Sequence, residues 1–269
     1  MPQDWRLKWS EGTRGHTDAA FPFGLEQLNG DGAAATYVGQ QLVTPCVPSR
    51  GVKCLTDPDF ATGNGFAPLR WAQSAGYGYA PNRAMSNVFM AVILDTPNPS
   101  GGVHSMYKQP AGSRLAREAL KLAYGMDSIT VSPRVAAVAL SAADTATITL
   151  DTGGAILRNQ SGFGFEVLIP LADKQRGNQQ KPNTSQWINA PIQSASGKVV
   201  TIGSVPPNAT RVRYLWWGNP CGLGHCSGSG RSIVCDKMAK CPVYITVQPL
   251  GALSGELDFL PLGPFVSDF

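Results

Sequence analysis

The sequence is poor in charge, in histidine and in long apolar runs. Charged residues make up 15% of the 269, and 22 basic against 18 acidic residues leave a net charge of +4. A nucleic-acid surface needs a concentrated positive patch, and no basic run is present, so that class of partner is not expected. The longest apolar run, Val88 to Leu94, is far shorter than the ~20 residues that cross a bilayer, so no membrane span is predicted.

The amino terminus also lacks a signal segment, because "MPQDWRLKWSEG" contains no apolar stretch. We therefore expect either that a leader is missing from this sequence or that the sequence begins in mid-protein. The hydrophobic content of 43% is sufficient for a substantial core, and the length fits one large domain or two smaller ones.

Six cysteines lie in two local groups, namely Cys46 and Cys54, then Cys221, Cys226, Cys235 and Cys241. Paired cysteines in loops rich in Gly, Ser and Pro predict disulfides and an oxidising compartment. Glycosylation patterns at Asn159, Asn183 and Asn208 agree with a secreted protein or one in a lysosomal or other endomembrane lumen. The alternative is a zinc site with His225, although the spacings lack the paired pattern of zinc ribbons.

The first half of the chain has the pattern of an α/β unit. A short helix or turn at "DWRLKW" and a strand at "FPFGLEQL" precede a loop insertion over about 30 to 65; a short helix follows at "APLRWAQ". The run "VFMAVIL" is apolar at every position, as expected of a strand that helices cover on both faces.

An amphipathic helix is predicted from Pro110 to Tyr124. Its apolar residues recur at helical spacing, whereas Arg114, Arg117 and Glu118 fall off that face. Because strand, loop and helix follow in this order, we expect a parallel sheet.

The second half is a series of short β-rich runs separated by turn residues, at spacings typical of an antiparallel sandwich. The runs are "RVAAVAL", "TATITL", "GFEVLI", "KVVTIG", "RVRYLWW" and "VYITVQ". The chain is thus predicted to divide into an α/β part over residues 1–129 and a β-rich domain over residues 130–269, with a cysteine-bearing loop at 221–241.

Two residues beyond the apolar strand are candidates for catalysis. Asp95 directly follows the strand and His104 lies in the next loop. Ligand sites of open α/β sheets form where such loops meet, and a histidine held by a carboxylate can act as a general base. The alternative is a loop histidine without a role beside an aspartate that caps a turn. No serine has the context of a nucleophile; Ser74, Ser227 and Ser229 are each rejected because none lies on a tight strand-to-helix turn.

Several blocks of the sequence together resemble the later portion of the sialate O-acetylesterase family, over about half the chain and in the family's order. They are "DWRLKWSEGTRGHTDAAFPFGLEQL", "LRWAQSAGYGYAPNRAMSNVFMAVILD", "GGVHSMYKQPAGSRLAREALKLAYG", "VRYLWWGNPCG", "KCPVYI" and "LPLGPFVSDF". The resemblance implies a serine carboxylesterase of the SGNH-hydrolase type that removes O-acetyl groups from sialic acids. It implies a partial α/β/α catalytic domain followed by an antiparallel β-sandwich-like domain. The block with the nucleophilic serine and the oxyanion donors is absent from this sequence.

Matched to the family, His104 corresponds to the catalytic histidine. Ser105 stands where the family usually has proline, and Gly101 and Gly102 stand where related hydrolases have an acidic residue. The third member of a catalytic triad is therefore either Asp95 or absent. If it is absent, the enzyme works with a dyad of serine and histidine. The resemblance also pairs Cys221 with Cys241 in a disulfide and leaves Cys226 with Cys235.

Arg70 and Gln73 are candidates to orient the sugar, or else are solvated helix residues or structural ties. Gln27 is a candidate to face the same pocket, or else has a role at the end of its strand. Four aromatic residues form either a sugar-stacking wall or, more commonly for such residues, part of the core; they are Tyr77, Tyr79, Trp71 and Trp216.

No metal or other cofactor is expected. The expected partners are an O-acetylated sialic acid or another acetylated sugar and the missing part of the same enzyme. The alternatives are an esterase of another acetylated polysaccharide and a non-catalytic carbohydrate-binding or structural remnant.

Overall fold

The structure is a computed structural model of the chain. It describes residues 2–30, 36–38, 41–43, 65–98, 103–141, 144–153, 156–159, 164–170, 185–221, 225–227, 234–237, 240–248, 250 and 258–269, with backbone only at 36–38, 41–43, 156–159, 225–227 and 234–237. The helices in this part of the chain are α1 (Pro2–Gly12), α2 (Phe66–Gln73) and α3 (Lys108–Leu122). The strands are β1 (Phe23–Glu26), β2 (Thr36–Val38), β3 (Gln41–Val43), β4 (Val88–Ala91), β5 (Arg134–Ser141), β6 (Thr145–Asp151), β7 (Ile156–Asn159), β8 (Phe165–Pro170), β9 (Ser185–Ala190), β10 (Ile192–Ser196), β11 (Val199–Ile202), β12 (Arg211–Tyr214), β13 (His225–Ser227), β14 (Val234–Lys237), β15 (Val243–Val247), β16 (Asp258–Pro261) and β17 (Phe265–Asp268).

Strands β1 and β4 form a parallel pair that carries the candidate site at its carboxyl end. The register joins Phe23 to Val88 and Glu26 to Ala91. Helix α3 packs on one face of the pair, where Ala111 contacts a small cluster around Ala91 and Ile93. The predicted parallel strands and amphipathic helix are therefore confirmed in this part of the chain.

The opposite face of β4 differs from the prediction that helices cover both sides. Val88 and Met90 pack with Ala80 and Met85 of the loop before the strand. Further along the chain, Val92 joins the core built by the antiparallel strands. The strand is apolar at every position because a helix covers one face and loop and β structure cover the other. A continuous apolar run shows that both faces are buried, but it does not show whether a helix or another element buries them.

All other described sheets are antiparallel. Their strand orders are β10-β11-β6-β5, β17-β12-β8-β9, β16-β15-β7, β13-β14 and β2-β3. In β6 the residues Ala146, Ile148 and Leu150 are buried and alternate with more exposed neighbours, which is the pattern of a sheet with one covered face. The six predicted β-rich runs are confirmed as strands, and the fold is mixed α/β with mostly antiparallel sheets.

One core continues from the parallel pair into the antiparallel sheets. Val92 and Leu94 belong to the same buried cluster as Ile148, Phe165 and Ile245. The division of the chain at residue 129 stays a prediction, because this core does not itself mark a boundary there.

Cys221 and Cys241 form a disulfide across 20 residues, with their Cα atoms 4.4 Å apart. This confirms the predicted pair and removes both thiolates from the alternative zinc site. Closure of a loop of this size stabilises a fold by about 3 kcal/mol in the chain-entropy account. The backbone register of β13 and β14 places Cys226 opposite Cys235. The predicted pair of Cys46 with Cys54 lies outside the described residues.

None of the described helices has the length and apolarity that a membrane crossing requires. The side chains that the structure describes include no group of three or more His, Cys, Asp or Glu placed to hold a metal ion.

Candidate active site

A buried polar layer lies beyond the carboxyl ends of β1 and β4. Gln27 and Asn29 follow β1, and Asp95 and Thr96 follow β4; all four are buried. The Asn29 side-chain amide donates to the Thr96 carbonyl at 3.2 Å, which joins the two strand ends. Polar side chains from the ends of both strands therefore meet at this edge.

Asp95 is held by groups from two other elements. Its carboxylate, 1% exposed, receives two hydrogen bonds from Arg114 of α3 at 2.5 and 2.8 Å. The Tyr244 hydroxyl of β15 donates to the same carboxylate at 3.0 Å. Burial and then the charge of Asp95 raise the pKa of Tyr244 well above its ordinary value, which keeps this hydroxyl protonated as a donor.

Arg114 also reaches the backbone on both sides of the carboxylate. It donates to the Val92 carbonyl at 3.0 Å and to the Phe259 carbonyl at 3.1 Å. Burial alone would lower the pKa of Arg114, but the Asp95 charge and hydrogen bonds raise it above its ordinary value. Arg114 therefore stays charged and, through these contacts, ties α3 to the strands.

His104 lies in the loop directly before α3 and is exposed. Its ring makes no hydrogen bond with any residue that the structure describes. The adjacent Ser105 is buried, and its hydroxyl accepts the Tyr107 backbone N–H at 3.0 Å, which shapes the entry to the helix. Gly101 and Gly102 lie outside the described residues. The structure shows no contact between His104 and Asp95, so a shared catalytic role stays a prediction.

Arg70 is completely buried and is bonded to backbone. It donates to the carbonyls of Leu28 and Asn29, each at 2.7 Å, and to those of Trp217 and Gly218, each at 2.6 Å. Burial lowers its pKa to about 9, which leaves it charged at neutral pH. These contacts favour the alternative that Arg70 is a structural tie between β1, α2 and the loop after β12.

Gln73 and Gln27 differ in how their amides are used. The Gln73 carbonyl accepts the Leu28 N–H at 2.8 Å and its amide donates to the Glu26 carbonyl at 3.1 Å, so this side chain caps the outer edge of β1. Gln27 is completely buried, and neither atom of its side-chain amide has a hydrogen-bond partner in the described parts of the chain. Buried side-chain amides normally have hydrogen-bond partners, so Gln27 retains unused hydrogen-bonding groups beside the site.

The four aromatic candidates form two edge-to-face pairs. The Trp71 and Trp216 rings lie 5.7 Å apart, and the Tyr77 and Tyr79 rings lie 6.3 Å apart. Trp216 is buried and Trp71 packs against the main core, which matches the core interpretation for this pair. The two tyrosines are partly exposed.

Sequence reasoning missed the groups that hold Asp95. Arg114 and Arg117 fall off the apolar face of α3, yet both are buried, and Arg117 pairs with Asp258 at 2.9 Å. Asp95 lies 19 residues before Arg114, and Asp258 lies 141 residues after Arg117, so helical periodicity carries no signal for either pair. A second buried ion pair, Arg213 with Glu166 at 2.9 Å, joins β12 to β8.

Glu118 is the remaining buried charge of α3. Burial raises its pKa from 4.5 to about 7, although Arg134, the Ser132 backbone N–H and Lys121 act in the opposite direction. The folded state therefore holds a proton on Glu118 that the unfolded state releases at lower pH.

We expect the loss of this proton to lower the stability of the fold as the pH rises toward 7. Its stabilising contribution is complete below pH 4.5 and is lost as the pH rises toward 7. Relative to a Glu118→Gln variant, the wild-type free energy of unfolding should fall by roughly 3 kcal/mol between about pH 4 and pH 8. Urea unfolding at a series of pH values measures this difference. A difference that does not change with pH, or an equal change for exposed Glu11→Gln, would contradict the assignment.

The sequence is similar to mammalian sialate O-acetylesterases. It is 26% identical to the human protein over 241 residues and 27% identical to the mouse protein over 231 residues. These alignments cover 83% and 84% of this chain. The chain is thus similar to sialate O-acetylesterases over most of its own length. It matches only 37% of the length of the human sialate O-acetylesterase and 36% of the mouse protein. No family model matches the sequence.

The fold is similar to that of a solved bacterial protein. The crystal structure of a novel carbohydrate acetylesterase from Xanthomonas citri superposes with a TM-score of 0.54 at 19% identity. The match covers 99% of this chain and 46% of that protein. At this identity the likeness concerns the fold alone.

Proposed function

We propose that this chain is part of a sialate O-acetylesterase-like carboxylester hydrolase and that His104 is its general base. The observation that carries the proposal is the exposed His104 ring, which has no hydrogen-bond partner among the described residues and lies in the chain between β4 and α3. Loops that follow parallel strands are where α/β sheets bind ligands. The similarity to sialate O-acetylesterases supports an acetylated sugar as the substrate.

The nucleophile in this proposal is a serine on polypeptide outside this chain. The support is that more than half of each curated relative has no counterpart here. The serine oxygen attacks the acetyl carbonyl carbon while its proton passes to a ring nitrogen of His104. Collapse of the tetrahedral intermediate breaks the ester bond, and His104 returns the proton to the departing sugar oxygen. Water then attacks the acetyl-serine with His104 again as base, which releases acetate and restores the serine.

A dyad of serine and histidine is the simpler form of this mechanism. The Asp95 carboxylate already accepts hydrogen bonds from Arg114 and Tyr244, so its lone pairs are largely committed. Asp95 then acts as a positioning residue that anchors α3, and the loop with His104 precedes that helix directly. Of the three candidate sugar-binding residues, Gln27 retains a free amide, whereas Arg70 and Gln73 are bonded to backbone.

The compartment is also part of the proposal. We place the protein in a secreted or luminal environment, and the Cys221 and Cys241 disulfide is the observation that supports an oxidising compartment.

Acetate release tests the proposed activity and substrate. The chain is expressed joined to a serine-bearing amino-terminal segment, and release is measured from O-acetylated sialic acid and from acetylxylan. We expect release from O-acetylated sialic acid to exceed that from acetylxylan. Each polypeptide alone serves as the control and should be inactive. Faster release from acetylxylan would favour a polysaccharide esterase, and no release from either would favour a non-catalytic remnant.

A further inference from the structure

A crevice of about 150 Å³ lies away from the His104 loop. It is lined by the loop from Tyr77 to Ala80, by Glu118 of α3, by the segment 132–135 and by the segment 262–267. Glu118 is ten residues beyond the first residue of α3, which places it ~15 Å along the helix axis from the end that follows His104. The crevice is therefore a different place from the candidate active site.

The crevice can hold more than one or two water molecules. By the same measure of volume one water needs roughly 10–15 Å³, so the space fits a small organic molecule. It also lies where the α/β part meets the strands that follow, and small-molecule sites are common at such junctions.

A hydrogen-bond acceptor and unused donors face each other in the crevice. Glu118 is 5% exposed; one of its oxygens accepts the Ser132 N–H at 3.3 Å. Its other oxygen lies 3.9 Å from Nη2 of Arg134, too far for the charge-assisted hydrogen bond that such a pair normally makes. That nitrogen instead donates to the Ala80 carbonyl at 2.8 Å. The Nε and Nη1 groups of Arg134 make no hydrogen bond within the described chain.

These groups select a neutral ligand with adjacent hydroxyls. Above pH 7 an anion would meet the ionised Glu118 carboxylate. An organic cation would meet the Arg134 guanidinium, which already lies over the Tyr79 ring at 5.2 Å. A hydroxyl both donates and accepts, so one hydroxyl can donate to Glu118 while its neighbour accepts from Arg134. Tyr77 and Tyr79 add partly exposed rings whose faces and edges suit the C–H groups of a sugar.

We propose that this crevice is a carbohydrate-binding subsite that takes one neutral sugar ring, with a pair of adjacent hydroxyls bridging Glu118 and Arg134. The subsite would hold a saccharide independently of the chemistry at His104. It goes beyond the proposed esterase function and does not depend on it.

Binding of simple glycosides tests the subsite on the full chain. Methyl β-D-galactopyranoside, methyl β-D-glucopyranoside and methyl β-D-xylopyranoside are titrated in turn and followed by saturation-transfer NMR and calorimetry. We expect at least one to bind with a Kd in the millimolar range, as is usual for one small ring with few contacts. Binding of none of the three at about 50 mM would overturn the proposal.

Matched variants locate the binding. The titrations are made at about pH 8, above the pKa of about 7 that burial gives Glu118. There Glu118→Gln keeps the shape of the side chain but removes the charged acceptor, so we expect affinity to fall at least about tenfold. Exposed Glu11→Gln is the control for loss of one negative charge, and His104→Ala is the control for binding at the active site; both should bind as the wild type does. Thermal unfolding checks that each variant is folded. An unchanged Kd in Glu118→Gln, or a loss of binding in His104→Ala, would contradict the proposal.

Discussion

Replacement of His104 by alanine should lower acetate release by about 10²-fold or more, since a positioned general base contributes 10²–10⁴-fold. The loss should appear in kcat, because the imidazole acts on the proton of the nucleophile and of water in the transition state. Stability should change little, because His104 is exposed and its ring makes no hydrogen bond within the described chain. Steady-state acetate release by the active, serine-bearing protein measures the effect.

His16→Ala is the matched control for this experiment. His16 is also exposed and lies in the loop after α1, outside the polar layer at the strand ends. Its replacement should leave kcat and KM as they are in the parent protein. A His104→Ala variant that stays within about tenfold of the parent would remove His104 from the mechanism.

Replacement of Asp95 by alanine should lower the free energy of unfolding by about 3–5 kcal/mol, which is the usual cost of removing one partner of a buried ion pair. The variant leaves the Arg114 guanidinium buried without its counter-charge and the Tyr244 hydroxyl without its acceptor. Urea unfolding monitored by fluorescence measures this change.

The same variant separates a catalytic role of Asp95 from a role in anchoring α3. A positioning residue that anchors α3 predicts a large loss of stability and a smaller loss of kcat. Exposed Asp4→Ala is the control and should alter neither. A variant that keeps its stability but loses acetate release as His104→Ala does would mean that Asp95 orients the imidazole instead.

The parts of the fold with a regular apolar period could be predicted from sequence. The alternation in β6 and the spacing of Ala111 and Leu115 in α3 each reflect local geometry and one buried face. The predicted start of α3 at Pro110 is two residues late, because the helix begins at Lys108. Strand β9 has the sequence "SQWINA", whose polar residues conceal its pairing with β8.

The contacts that build the site could be predicted only in part. The carboxyl ends of two strands bring Gln27 and Asp95 to one edge, and this follows from strand order. That Asp95 binds Arg114 and Tyr244 does not follow, because Tyr244 is 149 residues away and tertiary packing decides which charges are buried. The same reason explains why Arg70, at the end of a short helix, proves to be a buried tie among backbone carbonyls.

Chemical rescue tests the central claim most directly. Acetate release from O-acetylated sialic acid is measured for the active His104→Ala protein as imidazole is added. If His104 is the general base, free imidazole should restore part of the lost rate, and it should leave the parent protein unaffected. A His104→Ala protein that has lost its activity, keeps its fold and gains nothing from imidazole at any concentration would contradict the account.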